Sequence, residues 1–467
     1  MQKQQMRLLL YSWKANNEQI LADNMMKAGF EIIWFHKECQ HYTRDMELAM
    51  EMIPFIHAQG IEVVVSFNYF PIISMICNTC QIPYYAWVYD CPHFTLFAKQ
   101  ITMPCNHIGI FDREMVRQLK NYGVNTAYHV PLAADAVYFE KIIVQASRQE
   151  KEKYQCDISF VGSLYTGDYN YYDNLFFKNY SEEADTADGN GLGHEQKRKT
   201  ACAEEIKNGM SAELTKHSDI GVIIKRQCFS YQKDCLRQAV TDGDIDFSML
   251  RARMEKEGLM LGEDYFAKPE DILLAAVLEK KVTVEERRIL LTEIAKRFAC
   301  NNGGKRAKAA SDGSNSGQAA CDSMDRANNI DAKFDFKIFT GSDTENLPEL
   351  APYNYGMVDY QTQMPLVFAG SKINLNISLR SIHSGIPLRV LDIMACGGFV
   401  LSNWQPEISE YFEEGAEIVT FDSLEDCLDK IEYYLIHEEE RRQIAANGQR
   451  KVQERFSYQI GLEKLFN

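Results

Sequence analysis

The sequence lacks long apolar runs. No stretch reaches the roughly 18 consecutive apolar residues that a membrane-spanning helix requires. The opening residues, MQKQQMRLLLYSW, also lack the apolar core and cleavage site of a secretory signal peptide. With 46% hydrophobic residues, the chain still has enough apolar material for a sizeable core. We therefore expect a soluble, cytoplasmic protein without a membrane span.

Positive charge is scarce as well. The formal net charge is −16 at pH 7. A protein that binds nucleic acid needs a basic face to neutralise phosphates. The basic cluster Lys197–Lys199 is too short to provide one. These observations exclude nucleic acid as the expected partner.

The 13 cysteines form no compact framework. Their odd number and wide scatter are typical of free thiols in a reducing compartment. Cys77 and Cys80 form a C-x-x-C pattern with other cysteines and histidines nearby, which leaves a structural zinc site as an alternative. Both residues fall on an apolar helical stretch, where cysteine behaves as a small hydrophobe. We predict no metal site.

The first part of the chain alternates strand and helix. Short runs of Leu, Ile and Val separated by helical stretches indicate a doubly wound parallel sheet covered on both faces. We expect this first domain to span residues 1–134, with ligands bound beyond the carboxyl ends of its strands. The predicted elements are Arg7–Tyr11, Asn17–Ala28, Glu31–Phe35, Asp45–Ala58, Glu62–Phe67 and Ile72–Thr79.

An apolar strand beginning at Tyr84 ends in Asp90, Cys91, Pro92 and His93. A carboxylate or an imidazole at the carboxyl end of a strand is well placed to take a proton from an acceptor hydroxyl. Asp90 and His93 are therefore the candidate catalytic residues. The alternative is ordinary turn chemistry, since aspartate is common shortly before proline.

A second domain is expected over residues 154–450. It opens with a buried strand that ends at Gly162 and Ser163, which taken alone indicates only a turn between a strand and a helix. Two polar stretches, near 181–233 and 300–333, are predicted to be partly disordered insertions. The closing segment, 451–467, is expected to be a helix that returns to the first domain.

The segment from Ile373 to Cys396 carries the strongest pattern. Apolar and polar residues alternate from Ile373 to Leu379, which predicts a strand on which Asn374 and Asn376 share one face with the following Arg380. Gly385 then introduces a turn before the predicted helix Pro387–Cys396. A turn of small residues before a helix offers free amides and a positive dipole end, which suit a diphosphate.

Charged residues flank this turn and helix. Arg380 and Arg389 would add charge-assisted contacts to a bound diphosphate. Asp392, in the second helical turn, would accept hydrogen bonds from ribose hydroxyls. A local Arg389–Asp392 salt bridge and glycines that only permit close packing are the alternative interpretation.

The run VDYQTQMPLVFAGSKINLNISLRSIHSGIPLRVLDIMACGGFVLSNWQPEISEYF resembles the donor-binding core of CgeB-like, spore-maturation-type glycosyltransferases of the GT-B superfamily, the glycosyl transferases group 1. The resemblance implies an α/β fold with two Rossmann-like doubly wound domains facing a cleft. It also implies that Gly162, Ser163 and Tyr360 belong to the donor site. Related enzymes carry two acids eight residues apart; Ser384 stands at the first position and Asp392 at the second. That departure leaves the sugar contact and the stereochemical outcome open.

The resemblance implies a metal-independent hexosyltransferase. It would move a sugar from a nucleotide-sugar donor to a hydroxyl of a glycan or protein acceptor at the cell surface or spore. It implies no cofactor apart from the nucleotide-diphosphate sugar itself. Two alternatives stay open: a GT-B sugar-nucleotide epimerase, and a non-catalytic sugar-nucleotide binding or assembly module.

Overall fold

The chain folds around two parallel β-sheets. The structure is a computed structural model, and it describes residues 6–166, 222–242, 263–266, 268, 271, 274–299 and 334–467. Every pairing between the named strands is parallel. The predicted α/β class with two doubly wound domains is confirmed.

The amino-terminal sheet has six strands in the order β2-β1-β3-β4-β5-β6. The chain moves outward from β1 to β2 and then crosses to β3, so the switch point of this sheet lies between β1 and β3. Its strands are β1 (Arg7–Ser12), β2 (Glu31–His36), β3 (Val63–Phe67), β4 (Tyr84–Val88), β5 (Asn106–Ile110) and β6 (Ala127–His129). The helices between them are α1 (Glu18–Lys27), α2 (Met46–Gln59), α3 (Pro71–Cys80) and α4 (Arg113–Asn121).

The carboxyl-terminal sheet has five strands in the order β11-β10-β9-β7-β8. Its switch point lies between β7 and β9, on either side of which the chain winds in opposite directions. Its strands are β7 (Cys156–Val161), β8 (Phe336–Phe339), β9 (Ser371–Asn376), β10 (Val400–Asn403) and β11 (Val419–Phe421).

Helices surround the second sheet and join it to the first. Two of them, α5 (Ala136–Gln145) and α6 (Arg148–Tyr154), connect the sheets. A π-helical turn, Leu274–Leu278, leads directly into the long helix α8. The remaining described helices are α7 (Cys235–Asp242), α8 (Glu279–Arg297), α9 (Met364–Gly370), α10 (Leu388–Ala395), α11 (Pro406–Tyr411), α12 (Leu424–Ile436), α13 (Glu438–Arg455) and α14 (Tyr458–Phe466). None of the helices in the described part of the chain is long and apolar enough to cross a bilayer.

Most predicted elements are present with shifts of one or two residues. β3 is buried along its whole length, as expected for a central parallel strand. The strand predicted to run to Leu379 is the clearest exception, because β9 ends at Asn376. Beyond it the chain leaves the sheet, and Ser378 donates its amide to the side-chain oxygen of Asn403 at 2.7 Å.

The first predicted insertion differs from expectation over residues 222–233. Ile224 and Gln227 are only 4% and 5% exposed. The ring of Tyr231 packs edge-on against Phe421 at 5.8 Å. These residues belong to the folded carboxyl-terminal domain, so a solvated insertion is the wrong description for them. The rest of the predicted insertions, 181–221 and 300–333, lies outside the described residues.

Helix α14 lies on the amino-terminal sheet. Tyr458 packs edge-on against Trp87 of β4, with 5.8 Å between ring centroids. A single apolar cluster continues from this sheet through Trp87 and Phe111 to Ile386 and Val390 beside α10. The two domains are therefore joined by a shared apolar core on this side of the molecule.

We expect Gly461→Ala to destabilise the protein by about 1–3 kcal/mol, the usual cost of forcing an extra group into a packed core. A Cβ at position 461 would lie 2.2 Å from the Trp87 ring, which has no room to move within the core. Urea unfolding measures the effect. Lys464→Ala, at an exposed site on the same helix, is the matched control. Equal stability of both variants would contradict the described seating of α14.

Candidate functional site

The switch point of the carboxyl-terminal sheet is spanned by one arginine. Arg287 of α8 donates from Nε to the carbonyl oxygen of Ile377, which follows β9, at 3.2 Å. Its Nη1 donates to the carbonyl oxygen of Ser163, which follows β7. The guanidinium thus bridges the ends of the two strands where this fold places its ligand. Arg287 is only 8% exposed.

Lys280 lies beside Arg287. The two residues are seven apart and so share one face of α8. The ammonium of Lys280 sits 3.3 Å from the centre of the Tyr165 ring, and Arg287 contacts the same ring at 5.0 Å. Burial and the nearby Arg287 lower the pKa of Lys280 to about 8. Within the described residues neither cation forms an ion pair with a carboxylate.

Arg389 of α10 completes a cluster of three cations. Its positive charge lowers the pKa of Arg287, after the larger effect of burial. No side chain caps the start of α10. The first amides of this helix therefore add to the same positive region. Partly buried cations at the carboxyl ends of parallel strands, two of them without an acid partner among the described residues, suit a polyanion such as a diphosphate.

Gly162 and Ser163 border this cation cluster. The Ser163 hydroxyl lies 3.1 Å from Ser342 Oγ, beyond β8, and accepts from the Tyr165 amide at 2.9 Å. Tyr165 itself has a left-handed backbone, with φ of 52°. The two hydroxyls and the left-handed residue fold the chain tightly beside the strand end. This loop gives the cluster a fixed edge.

Arg380 does not face a ligand, which corrects the predicted phosphate contact. Its Nε lies 3.0 Å from both carboxylate oxygens of Glu286. Its remaining nitrogens donate to the carbonyl oxygens of Gln227 and Ser230. The guanidinium also covers the Tyr231 ring at 4.0 Å. Arg380 therefore holds residues 227–231 against α8.

Asn374 and Asn376 share a face as predicted, but that face is buried. They are 1% and 4% exposed. Asn374 accepts from Ser159 at 2.8 Å and donates to the carbonyl oxygens of Phe368 and Phe399. Asn376 donates to Ser378 and Ser402. Their amides link neighbouring strands and are not offered to a donor, so the predicted binding role is wrong for both.

Asp392 and Tyr360 are hydrogen-bonded to each other. Asp392 is 1% exposed and accepts a hydrogen bond from the Tyr360 hydroxyl at 2.7 Å. That hydroxyl accepts in turn from the side-chain amide of Asn17, which immediately precedes α1, at 3.1 Å. Burial raises the pKa of Asp392 to about 6. The contact joins the domains and withholds Asp392 from ribose. Arg389 lies 3.7 Å from Asp392, so the alternative of a local salt bridge fits this pair.

Ser384 and Gly385 contact the amino-terminal domain. A Cβ on Gly385 would lie 2.8 Å from the Phe111 carbonyl oxygen, so only glycine allows this approach. One carboxylate oxygen of Asp112 accepts hydrogen bonds from the backbone amides of His383 at 2.7 Å and Ser384 at 3.3 Å. Its other oxygen caps α4 by accepting from the Glu114 amide. The small-residue turn is thus filled by a carboxylate of the same chain.

A buried acid–imidazole network surrounds this junction. The ring of His383 lies 2.9 Å from Glu279, and that of His129 lies 2.9 Å from Glu407. Burial opposes protonation of His383, but Glu279 and Asp112 outweigh it and raise its pKa to about 9. His383 is therefore an imidazolium held between two carboxylates. The junction fixes how the two domains meet.

Asp90 and His93 differ in their surroundings. Asp90 is exposed at the end of β4. One of its oxygens accepts a hydrogen bond from Asn68 at 2.7 Å, and the other accepts none within the described residues. His93 lies 2.7 Å from Thr95 Oγ1, and burial lowers its pKa. His93 holds the loop after β4, whereas Asp90 is open to a substrate.

The loop that carries Asp90 contacts the carboxyl-terminal domain through Cys91. The Cys91 thiol donates to the carbonyl oxygen of Ser381 in the other domain at 2.9 Å. Cys91 interacts electrostatically with both Asp90 and Lys280. The site therefore presents an open carboxylate on one domain and partly buried cations on the other.

The described residues contain no metal centre. No three of their histidine, cysteine, aspartate or glutamate side chains are grouped to hold an ion. Cys77 is fully buried in the apolar core, where the sequence interpretation placed it. Cys80 Sγ lies 3.9 Å from His57 Nε2.

The chain is similar to known proteins in part of its sequence and in its fold. Residues 318–467 match the model of a family described as "Glycosyl transferase-like". No curated protein matches the sequence. A glycosyltransferase from Rickettsia africae superposes with a TM-score of 0.50 at 10% identity, covering 99% of this chain and 97% of the other. The fold is GT-B. HepE from Anabaena, solved with UDP and glucose, gives a TM-score of 0.47 at 7% identity over 99% and 98% of the two chains.

Sequence reasoning missed Lys280 and Arg287. Their spacing of two helical turns was visible, but so were many other charged residues on the same helix. The junction of Asp112, His129, Glu279 and Glu407 had no local signal, because its members come from four separate elements. Only the fold brings them together.

We expect the free energy of unfolding to fall as pH rises from about 6.5 to about 9 through His383. The folded protein raises this pKa, so the stabilisation is complete below the unfolded value and is lost as pH passes the folded value. Urea unfolding at both ends of this window measures the effect. His383→Gln should reduce the pH-dependent part, and exposed His57→Gln should leave it intact. The same pH dependence in parent and His383→Gln would contradict the assignment.

Proposed function

We propose that this protein transfers a sugar from a nucleotide-sugar donor to an acceptor hydroxyl. The observation that carries the proposal is the pair Lys280 and Arg287, which lies at the switch point of the carboxyl-terminal sheet without a carboxylate partner among the described residues. Family similarity over residues 318–467 and the GT-B fold support the same reaction class.

In this proposal the cation cluster binds the donor diphosphate. Lys280, Arg287 and Arg389 offset its negative charge and stabilise the additional charge that develops as the sugar–phosphate bond breaks. The free amides at the start of α10 contribute dipoles to the same region. A metal ion is then not required to balance the leaving group. We further propose that the donor sugar is a hexose and that the enzyme is CgeB-like and cytoplasmic, as the resemblance implies.

Asp90 is proposed as the general base. It is exposed at the carboxyl end of β4, and Asn68 orients it from one side. The Asn68 side chain also accepts from the amide of Asp90 at 3.2 Å, which holds the acid by two contacts. Its other oxygen is open to an acceptor hydroxyl. The ring of His93 is hydrogen-bonded within the loop after β4, so His93 is not proposed as a base.

Lys280→Ala should weaken binding of a nucleoside diphosphate by about 1.5–3 kcal/mol, the range for a lost charge-assisted contact. Calorimetry measures the affinity for UDP, GDP and ADP in turn, because the nucleobase of the donor is not assigned. Lys281→Ala is the matched control, because the neighbouring Lys281 forms an ion pair with Glu285 at 2.9 Å. Unchanged affinity in a folded Lys280→Ala variant would reject the diphosphate site.

Asp90→Asn should slow turnover by about 10²–10⁴-fold, the usual contribution of a general base. Release of nucleotide from the donor, with water as the slow acceptor, measures the rate without a known acceptor. Donor affinity and melting temperature should stay unchanged, since Asp90 is exposed. Asp429→Asn, on the surface of α12, is the control. Full turnover in Asp90→Asn would remove this residue from the mechanism, and no turnover in the parent would favour a binding module.

A further inference from the structure

A cavity lies mainly on the amino-terminal domain, apart from the cation cluster. It measures about 430 Å³, within the range of roughly 300–1,000 Å³ found for small-molecule sites. It opens at the carboxyl ends of β1 and β2, and none of Lys280, Arg287 and Arg389 lines it. Its walls include Ser12, Lys14, Asn16, Gln19, Trp34 and His36.

One wall of the cavity is aromatic. Trp34 and His36 are two residues apart on the edge strand β2, so they share a face. Their rings stack with 5.3 Å between centroids and 7° between planes. Trp34 Nε1 forms no hydrogen bond within the described residues, and His36 is exposed. Such a wall offers a flat apolar surface with polar edges.

The opposite wall is a rigid polar turn. The carboxylate of Glu18 accepts the amides of Trp13 and Ala15, each at 3.0 Å, and the hydroxyl of Ser12 at 2.6 Å. These contacts hold Lys14 in a left-handed conformation, with φ of 69°. Because Glu18 is committed to the turn, its charge is already compensated. Lys14 forms no ion pair within the described part of the chain and is exposed.

The carboxyl-terminal domain closes one side. Gln361 lines the cavity and donates to the carbonyl oxygen of Asn16 at 2.9 Å. Asp359 fixes the turn that carries Gln361 by accepting from the Thr362 amide at 2.8 Å. The cavity is therefore complete only when the two domains are together, as expected for a substrate site in a cleft.

The cavity and the proposed base lie on the same edge of the sheet. In the strand order, β1 and β4 are separated by β3 alone. Two strand spacings correspond to about 10 Å. An acceptor with its reactive hydroxyl at Asp90 reaches the cavity only if it is longer than one sugar ring.

We propose that this cavity binds the remote part of an oligosaccharide acceptor, an inference that rests on the proposed glycosyl transfer. The C–H faces of a pyranose pack on the Trp34–His36 wall. Its hydroxyls bind the side-chain amides of Asn16, Gln19 and Gln361, and Lys14 donates to a ring or hydroxyl oxygen. The aromatic wall and the ring of amide groups favour a saccharide over a peptide segment.

The probe is an array printed with monosaccharides and oligosaccharides, beside a peptide array, incubated with the tagged full-length protein. We expect the parent to be retained on a restricted set of oligosaccharides and not on monosaccharides. Trp34→Ala should lower that retention about tenfold, equivalent to about 1.4 kcal/mol. Lys14→Ala, at an exposed position that does not risk the fold, should lower it as well. Lys27→Ala, exposed at the far end of α1, should not.

Calorimetry with a nucleoside diphosphate separates this inference from the proposed function. Nucleotide affinity should be the same in the parent, Trp34→Ala and Lys14→Ala, because the cavity lies apart from the cation cluster. A parent without nucleotide affinity would reject the proposed function, whatever the array shows. If no oligosaccharide retains the parent, if both variants are retained as strongly as the parent, or if only peptides retain it, the saccharide subsite is overturned.

Discussion

The site depends on one physical constraint. Lys280 and Arg287 hold positive charge largely out of water, and no carboxylate among the described residues pairs with them. A buried cation is costly unless it is paired or hydrogen-bonded. Arg287 meets part of that cost with the carbonyl oxygens of Ser163 and Ile377. Lys280 is less well compensated, and burial together with the nearby Arg287 lowers its pKa to about 8. A bound polyanion would supply the missing charge, which is why we place the diphosphate there.

The rest of the fold keeps these cations in place. The carbonyl groups that hold Arg287 belong to the two strand ends at the switch point, so the guanidinium position follows from the sheet topology. Arg380 and buried Glu286 brace α8 from its other side. The apolar core shared by the domains and the junction around Asp112 fix how the domain that carries Asp90 meets the domain that carries the cluster.

Much of the fold could be predicted from the sequence. Alternation of short apolar runs with helical stretches predicted the first doubly wound domain, because parallel strands buried on two faces have a distinctive composition. The cap formed by Asp112 was also predictable, since capping is local. Family resemblance added the pairing of the two domains across a cleft.

The site was harder to predict, because patterns identify a shared face and not what covers it. Asn374 and Asn376 do share a face, yet Ser159 and Ser402 on neighbouring strands bury and satisfy their amides. Arg380 was predicted to bind phosphate, but it pairs with Glu286, a residue 94 positions earlier in the sequence. Lys280 and Arg287 stand out because no carboxylate forms an ion pair with them among the described residues, and a missing partner leaves no mark in a sequence.

The most direct measurement is a crystal structure of the protein with a nucleoside diphosphate bound. Our account predicts phosphate oxygens within about 2.7–2.9 Å of Lys280 Nζ and of a guanidinium nitrogen of Arg287 or Arg389, the distance of a charge-assisted contact. It also predicts that Tyr165 moves off the Lys280 ammonium to admit the phosphates. A diphosphate bound elsewhere, with Lys280 still against the Tyr165 ring, would contradict it.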